Sequence, residues 1–180
     1  MIAYKAFLKG LVCRGYQFVM GKNVTEKAQC AAEGFHCAAN PLDCLSYYSD
    51  MDNSEYCIVD ARGDINEDGN DSKIACTEFI IIRKLTKEEF FLHGLAYMYD
   101  HPLLKCSNHV EKDRAKANRG YAVVRGYDPI ARGESGDILA FAKEDPVSRA
   151  ITQIVLSRVD GEKILPGVWY GADLTERRAG

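Results

Sequence analysis

The sequence lacks the features that would direct the chain into a membrane or through a secretory pathway. Its uninterrupted aliphatic and aromatic runs, such as Phe79 to Ile82, are far too short to cross a bilayer. The first seven residues contain neither the apolar stretch nor the small-residue cleavage site of a signal peptide. From these absences we expect a cytoplasmic protein.

The chain also lacks an excess of positive charge and the motifs of the common enzyme classes. Its formal net charge is -3 over 180 residues, so we do not expect a nucleic acid as its primary partner. It contains no nucleophile elbow, no Walker phosphate loop, no dinucleotide-binding glycine fingerprint and no zinc quartet. These absences exclude the enzymes and metal sites that depend on such motifs.

Cysteine is present but never in a C-x-x-C pair, and no two histidines have the spacing of a helical zinc site. The number of cysteines is odd, and most of them lie beside apolar residues. We therefore predict that they are reduced and buried as small hydrophobic side chains, with no metal site. The seven are Cys13, Cys30, Cys37, Cys44, Cys57, Cys76 and Cys106.

The pattern of apolar residues and helix-start signals predicts an α+β fold. We expect residues 1–102 to form a mixed β-sheet flanked by two or three helices. Residues 120–180 are predicted to form a smaller antiparallel β unit. Residues 103–119 are the most polar and basic stretch of the chain, which is typical of a linker or an exposed helix.

Individual elements have clear local signals. Ile2 to Leu8 alternates as a strand, Phe35 to Ala38 is a short strand, and Ile74 to Arg83 is apolar enough to be central in a sheet. The three predicted helices run over residues 25–33, from Asn40-Pro41-Leu42-Asp43 to about Tyr48, and from the capping box Thr86-Lys87-Glu88-Glu89 to Asp100.

An acidic segment, Asp64 to Ser72, resembles the first half of a calcium-binding loop. Oxygen-bearing side chains stand at alternate positions, and Gly69 stands where such a loop turns sharply. The twelfth position, which should be a bidentate glutamate, is Ala75. An acidic hairpin loop is therefore the favoured interpretation, and weak calcium binding is the alternative.

The best candidate for a functional site is a strand-turn-helix unit, Gly34 to Tyr48. His36 alternates with Phe35 and Cys37 along the predicted strand, so it faces away from the core if those two face into it. Such a histidine points toward a surface or a cleft. For a single histidine a structural role is nevertheless the favoured interpretation, and a functional role is the alternative.

Five segments resemble uncharacterised domains encoded by bacteriophages and prophages, over roughly residues 1–102. The resemblance implies a phage or mobile-element context and carries no agreed function. The segments are Tyr4-Lys5-Ala6-Phe7, Cys13-Arg14-Gly15-Tyr16-Gln17, Gly34-Phe35-His36-Cys37, Asn40-Pro41-Leu42-Asp43 and residues 63–73.

A more distant resemblance is to the ADP-ribosyltransferases, in which a glycine-led strand ends at the nicotinamide site and a helix with small residues and a tyrosine follows. Gly34, Phe35, Ala38, Ala39, Pro41 and Tyr47 are similar to that unit in order and spacing. Tyr4-Lys5-Ala6 stands where the family has its first-strand motif, but without the glycine that would contact the nicotinamide amide.

This second resemblance implies a set of site residues. Breaking the nicotinamide–ribose bond develops positive charge on the sugar, which a carboxylate must stabilise while aromatic faces hold the nicotinamide ring. Under this interpretation the catalytic candidates are Glu78, Tyr47 and His36. The cofactor-binding candidates are Tyr4, Gly34 and Tyr48, and NAD is the cofactor only in this case.

The leading hypothesis is a phage-type accessory protein that works by binding rather than by catalysis. Its target would be a host component or a nucleotide signal, as in an antagonist of a host antiviral defence such as CRISPR. One alternative is an NAD-using enzyme similar to the ADP-ribosyltransferases. Another is a structural module of a phage or mobile element.

Overall fold

The structure is a computed structural model that describes residues 1–26, 34–67 and 72–178. These residues form two compact units, Met1–Phe90 and Phe91–Gly180, each with its own hydrophobic core. In this part of the chain no helix is both long and apolar enough to cross a membrane.

The first unit contains seven strands and one 3₁₀-helix among its described residues. In chain order they are β1 (Ile2–Leu8), β2 (Val12–Cys13), β3 (Tyr16–Gln17), β4 (Gly21–Val24), β5 (Phe35–Ala38), the 3₁₀-helix (Pro41–Ser46), β6 (Ser54–Glu67) and β7 (Lys73–Leu85). The α-helix α1 (Lys87–Asp100) begins at the end of this unit and continues into the second.

The strand pairing of the first unit returns to its starting strand. β1 pairs with β6 along its whole length, β6 pairs with β7, β7 pairs with β5, and β5 pairs with β1. All four pairs are antiparallel, and the result is a closed, barrel-like sheet. The three remaining strands are attached to this closed sheet. β4 pairs with β7, β2 pairs with the end of β1, and β3 pairs with β2.

The barrel interior is filled by the inward-facing residues of alternating strands. Ala3 and Phe7 on β1 are fully buried, because successive side chains of a strand point to opposite faces. Three phenylalanine rings meet in the centre: Phe79 lies 5.3 Å from Phe18 and 4.9 Å from Phe35, measured between ring centroids. Burial of these rings provides much of the driving force for closure.

Cysteine occupies the same interior. Cys37, Cys57 and Cys76 belong to the core of the first unit, and Cys44 is buried beside it. The predicted burial is therefore confirmed for these four residues. Cys13 and Cys106 are half-buried instead, and Cys30 lies outside the described residues.

The predicted α+β fold is wrong, because both units consist mainly of β-strands. The described residues contain one α-helix, α1, and one 3₁₀-helix, beside thirteen strands. The helix predicted for residues 25–33 lies largely outside the described residues. In the second unit, predicted to be antiparallel, some neighbouring strands run parallel.

The local helix-start signals are nevertheless confirmed. The side-chain oxygen of Asn40 accepts a hydrogen bond from the amide of Leu42, so Asn40 caps the 3₁₀-helix. At the start of α1, the Glu89 amide donates to Thr86 Oγ1 and the Thr86 amide donates to Glu89 Oε2. This reciprocal pair is a capping box.

The acidic segment, residues 64–72, begins within the last residues of β6 and ends just before β7. Pairing between the two strands extends as far as Glu67 and Ile74. Residues 68–71, which include two of the five oxygen-bearing residues at alternate positions, lie outside the described residues.

The second unit is built around one long strand. Its strands are β8 (Glu111–Lys116), β9 (Tyr121–Arg132), β10 (Ile138–Glu144), β11 (Ile151–Arg158), β12 (Trp169–Gly171) and β13 (Glu176–Arg177). β8 and β10 both pair with β9 in parallel, and β10 pairs with β11 antiparallel. β8 falls within the stretch that the sequence predicted to be a linker or an exposed helix.

An ion pair between a buried arginine and a half-buried glutamate holds several segments of the second unit together. Arg125 on β9 is 5% exposed, and its Nε donates to Glu144 on β10 at 2.6 Å. Its Nη2 donates to the carbonyl oxygens of Pro102 and Arg149 at 2.7 and 3.1 Å. One buried guanidinium therefore satisfies a half-buried carboxylate and two loop carbonyls at once.

We predict that Arg125→Met lowers the free energy of unfolding of the second unit by about 3–5 kcal/mol, because Glu144 is left without its cationic partner. Urea titration followed by the fluorescence of Trp169, the single tryptophan of the chain, measures this change. The double variant Arg125→Met/Glu144→Met should recover part of the loss. Wild-type stability in the single variant would contradict the assigned role.

Candidate functional site

A pocket of about 500 Å³ lies where β5 separates from β1. Its wall includes residues 4–6 of β1, residues 35–38 of β5, the turn between β2 and β3, and parts of the 3₁₀-helix and the segment that follows it. A volume of this size is typical of small-molecule sites.

The pocket exists because β1 and β5 are hydrogen-bonded to each other over a very short distance. Within the described residues these strands pair at one position, Tyr4 with Ala38. Beyond it, the carbonyl oxygen of His36 accepts a hydrogen bond from Lys5 Nζ at 2.6 Å. The amine of Lys5 thus donates the hydrogen bond that a backbone amide of a neighbouring strand would otherwise donate. β1 and β5 are therefore separated around this side chain.

Lys5 is a cation inside the barrel. It is 5% exposed, and its Nζ lies 5.3 Å from the ring centroids of both Phe7 and Phe18 and 5.9 Å from that of Phe79. Ring faces attract a cation, which offsets part of the cost of burying it. Among the described residues no carboxylate forms an ion pair with Lys5.

Arg14 brings a second cation to the pocket from a tight turn. Arg14 and Gly15 link β2 to β3 with φ angles of 49° and 78°. Two consecutive positive φ values are typical of a type I′ hairpin turn, in which glycine is favoured because it has no Cβ. In the part of the chain that the structure describes, Arg14 makes no salt bridge.

Tyr48 joins the pocket through a thiol. Its hydroxyl donates to Cys13 Sγ at 3.0 Å, and its carbonyl oxygen accepts a hydrogen bond from the hydroxyl of Tyr56. Burial, and then the hydrogen bond to Cys13, raise the pKa of Tyr48 well above its usual value. Burial likewise raises the pKa of Tyr4. Both phenols therefore remain protonated donors near neutral pH.

Among the described residues, Asp43 is the one carboxylate that lines the pocket. Its Oδ2 accepts a hydrogen bond of 2.6 Å from the hydroxyl of Ser72, whose oxygen in turn accepts from the Asn40 amide at 3.0 Å. Nearby, the ammonium of Lys73 lies 5.8 Å from the ring centroid of Tyr47. This end of the pocket therefore carries one negative and one positive side chain.

Two buried thiols complete the wall. Burial raises the pKa of Cys44 to about 12, against the opposing effect of Lys5. A hydrogen bond with Cys76 raises the pKa of Cys37, and burial adds to this effect. Cys13 differs from both because it is half-buried. Within the described residues no cluster of three or more potential ligands could hold a metal ion.

The structure brings together five of the six predicted site residues, because Tyr4, Gly34, His36, Tyr47 and Tyr48 all line this pocket. The sixth, Glu78, is not part of the lining. It lies on β7 opposite Val24 and Arg62, and its carboxylate pairs with Lys22 at 2.9 Å.

Sequence reasoning missed Lys5, Cys13, Arg14, Asp43 and Lys73 as pocket residues. For Lys5 a signal was present: it shares an alternating face with Ala3 and Phe7, so a lysine stood at a core-facing position of β1. For Cys13 and Arg14 no local pattern indicates which strand their hairpin packs against.

A family model described as a domain of unknown function, DUF7666, matches residues 1–93. The chain belongs to the DUF7666 family. The match spans the whole barrel and therefore every residue of the pocket described above. No curated protein and no solved structure matches the chain. The expectation of a domain of unknown function is confirmed, whereas nothing in the family description indicates a phage origin or a relation to ADP-ribosyltransferases.

We predict that the pocket thiols of the DUF7666 unit differ strongly in alkylation rate. At pH about 8 iodoacetamide should modify Cys13 at least tenfold faster than Cys37 and Cys44, since raised pKa values and burial leave those two protonated and shielded. Peptide mapping by mass spectrometry measures the three rates. Denaturation in urea should make them similar, and equal rates in the folded protein would contradict the prediction.

Proposed function

We propose that the DUF7666 unit is a binding protein for an anionic small molecule that carries an aromatic ring, a nucleotide in the simplest case. The observation that carries this proposal is a pair of cations, Lys5 and Arg14, in one pocket, neither of which forms an ion pair with a described carboxylate. A bound phosphate or carboxylate would supply the missing negative charge through charge-assisted hydrogen bonds.

The charge around the pocket supports an anionic ligand. Its lining includes Lys5, Arg14 and Lys73 but a single described carboxylate, that of Asp43. The chain as a whole has a formal net charge of -3, so the positive charge is local to the pocket rather than general. A concave site lined by one sign of charge concentrates ligands of the opposite sign.

The pocket also offers aromatic faces for a ring. Tyr4, Tyr16, Tyr47 and Tyr48 all line it, and Tyr16 and Tyr47 are 48% and 57% exposed. Bases stack on tyrosine rings with little dependence on their identity. A nucleotide with its phosphate near Lys5 and Arg14 and its base against a tyrosine would contact both the cationic and the aromatic residues of the lining.

Of the two kinds of target expected from the sequence, a host component or a nucleotide signal, the pocket favours the nucleotide. A concave site of about 500 Å³ suits a small molecule better than a protein surface. A protein that removes a nucleotide signal from solution needs affinity for the nucleotide but no catalytic group. Such a protein could act as an accessory factor against a host defence. The phage context and the defence role are part of this proposal.

We predict that Lys5→Met and Arg14→Ala each weaken binding of a nucleotide such as AMP or ADP by about tenfold or more, the effect of losing one charge-assisted hydrogen bond. Isothermal titration calorimetry measures the affinity. Lys22→Ala is the matched control, because Lys22 pairs with Glu78 away from the pocket, and it should bind as the wild type does.

Stability measurements separate loss of binding from loss of folding. Lys5→Met leaves the carbonyl oxygen of His36 without the amine that donates to it, and an unsatisfied buried acceptor costs about 1–3 kcal/mol. Lys5→Met should therefore lower the unfolding midpoint, whereas Arg14→Ala, in an exposed turn, should keep it, and both variants should lose affinity. If no nucleotide binds the wild-type protein at millimolar concentration, or if all three variants bind alike, the proposal fails.

An NAD-using enzyme is the second candidate, favoured by one observation. Tyr4, His36, Tyr47 and Tyr48, the residues that the ADP-ribosyltransferase resemblance implied, line the same pocket. Glu78 lies outside the lining and is paired with Lys22. In this alternative the carboxylate closest to the chemistry would be Asp43, so the role expected for Glu78 passes to it.

We predict that, if the protein releases nicotinamide from NAD, Asp43→Asn lowers the rate at least tenfold while Glu78→Gln leaves it unchanged. A carboxylate in the pocket can stabilise the positive charge that develops on the ribose, and one outside cannot. Chromatographic detection of nicotinamide gives the rates. The opposite pattern would return the catalytic role to Glu78, and NAD binding without turnover would support the binding function alone.

A further inference from the structure

Lys5 and Cys13 meet inside the pocket. Lys5 Nζ lies 3.8 Å from Cys13 Sγ, and the hydroxyl of Tyr48 donates to the same sulfur at 3.0 Å. The lysine amine is held in place by its hydrogen bond to the His36 carbonyl oxygen. A nitrogen nucleophile and a soft sulfur thus face each other in a cavity open to small molecules.

We propose that Lys5 and Cys13 are an oxidative cross-linking site, at which one oxygen atom joins the lysine nitrogen to the cysteine sulfur when the protein meets a hydroperoxide. The product is a covalent N–O–S bridge between β1 and β2. It is a modification of the pocket itself and is reversed by thiol reductants.

The geometry favours this pair over the other cysteines of the barrel. Reacting atoms in productive encounters lie roughly 3–3.5 Å apart, so a small rotation of the Lys5 side chain is enough. β1 and β2 are already paired at Leu8 and Val12, so a bridge adds little strain. Cys13 is half-buried and lines the pocket, whereas Cys37 and Cys44 are buried and have raised pKa values.

The neighbours of the sulfur assist the first oxidation. The Lys5 ammonium and the Tyr48 hydroxyl lie beside the sulfur as hydrogen-bond donors to the Cys13 thiolate, the form that attacks a peroxide oxygen. This step gives a sulfenic acid and one molecule of water. Because the sulfenic acid forms beside the amine, the next bond forms within the pocket rather than with a thiol from solution.

The complete reaction balances with hydrogen peroxide as the oxidant. Two peroxide molecules accept four electrons in all, two from sulfur in the first step and two from nitrogen in the second, and Lys5 releases one proton to solvent between the two steps. The S–H bond and one N–H bond break, the S–O and O–N bonds form, and three molecules of water leave. The protein gains one oxygen atom and loses two hydrogen atoms relative to the neutral thiol and amine.

The bridge would act on the pocket in two ways. It removes the positive charge of Lys5, and it ties the β2–β3 hairpin, which carries Arg14, to β1. Formation of the bridge does not depend on the proposed function, whereas its effect on ligand affinity rests on the proposed nucleotide binding. Oxidation would then lower the affinity for an anion, and reduction would restore it.

Mass spectrometry of the full chain after treatment with hydrogen peroxide tests the bridge. The expected product is heavier by about 14 Da, unlike the gain of about 16 Da of a sulfenic acid, and dithiothreitol reverses it. Trypsin should no longer cleave after Lys5, and it should release residues 1–9 linked to residues 10–14 through the bridge.

Matched variants assign the two atoms. Lys5→Arg keeps the charge but lacks the amine, and Cys13→Ser lacks the sulfur, so neither should give the bridged product. Lys22→Arg and Cys106→Ser change a lysine and a half-buried cysteine elsewhere, and both should give it. Should a pocket variant fail to fold, the linked wild-type peptides still decide the question.

Two results would overturn the proposal: oxidation of wild-type Cys13 that yields sulfenic or sulfinic acid without the bridged product, or a bridged product that persists in Lys5→Arg. The ligand experiment is separate. Bridged protein should bind AMP about tenfold more weakly than reduced protein. A bridge in a protein that binds no nucleotide when reduced would sink the proposed function and leave the cross-link standing, and normal nucleotide binding without a bridge would do the reverse.

Discussion

The hydrogen bond from Lys5 to the carbonyl oxygen of His36 is the interaction on which the first unit depends. The barrel closes between β1 and β5 through one backbone pairing, Tyr4 with Ala38, and beyond it the His36 carbonyl requires another donor. The lysine amine supplies that donor from inside the barrel. Burying a cation is costly, and the surrounding rings and Cys13 offset part of that cost.

The same arrangement creates the pocket. If backbone hydrogen bonds joined β1 and β5 along their whole length, no opening would remain between them. A hydrogen bond from a side chain instead leaves room around that side chain. Lys5, although buried, lines this pocket together with Arg14, Cys13 and the tyrosines. Lys5 therefore serves both the structure and the proposed functions. Its amine completes the barrel by donating to the His36 carbonyl oxygen. The same amine would attract an anion and would bond to Cys13.

Predictions from local patterns succeeded where the physics is local. The bounds of β1 and β5 were predicted residue for residue, and the caps at Asn40 and Thr86 form as expected, because alternation and capping depend on neighbours within a few positions. The fold class was wrong because closure depends on distant pairs: the partners of β1 on β6 lie 46 to 58 residues further along the chain. No local pattern specifies such a pairing, and two good helix starts led to an overestimate of helix.

The sequence by itself determined that the chain folds, that most of its cysteines are core residues, and that the segment from Gly34 to Tyr48 carries a histidine facing away from the core. Only the tertiary structure decided that Lys5 and Arg14 share a pocket with that segment, and that Glu78 does not. The physical reason is that the direction of a side chain follows from its own strand, whereas its neighbours follow from which strands the barrel brings together.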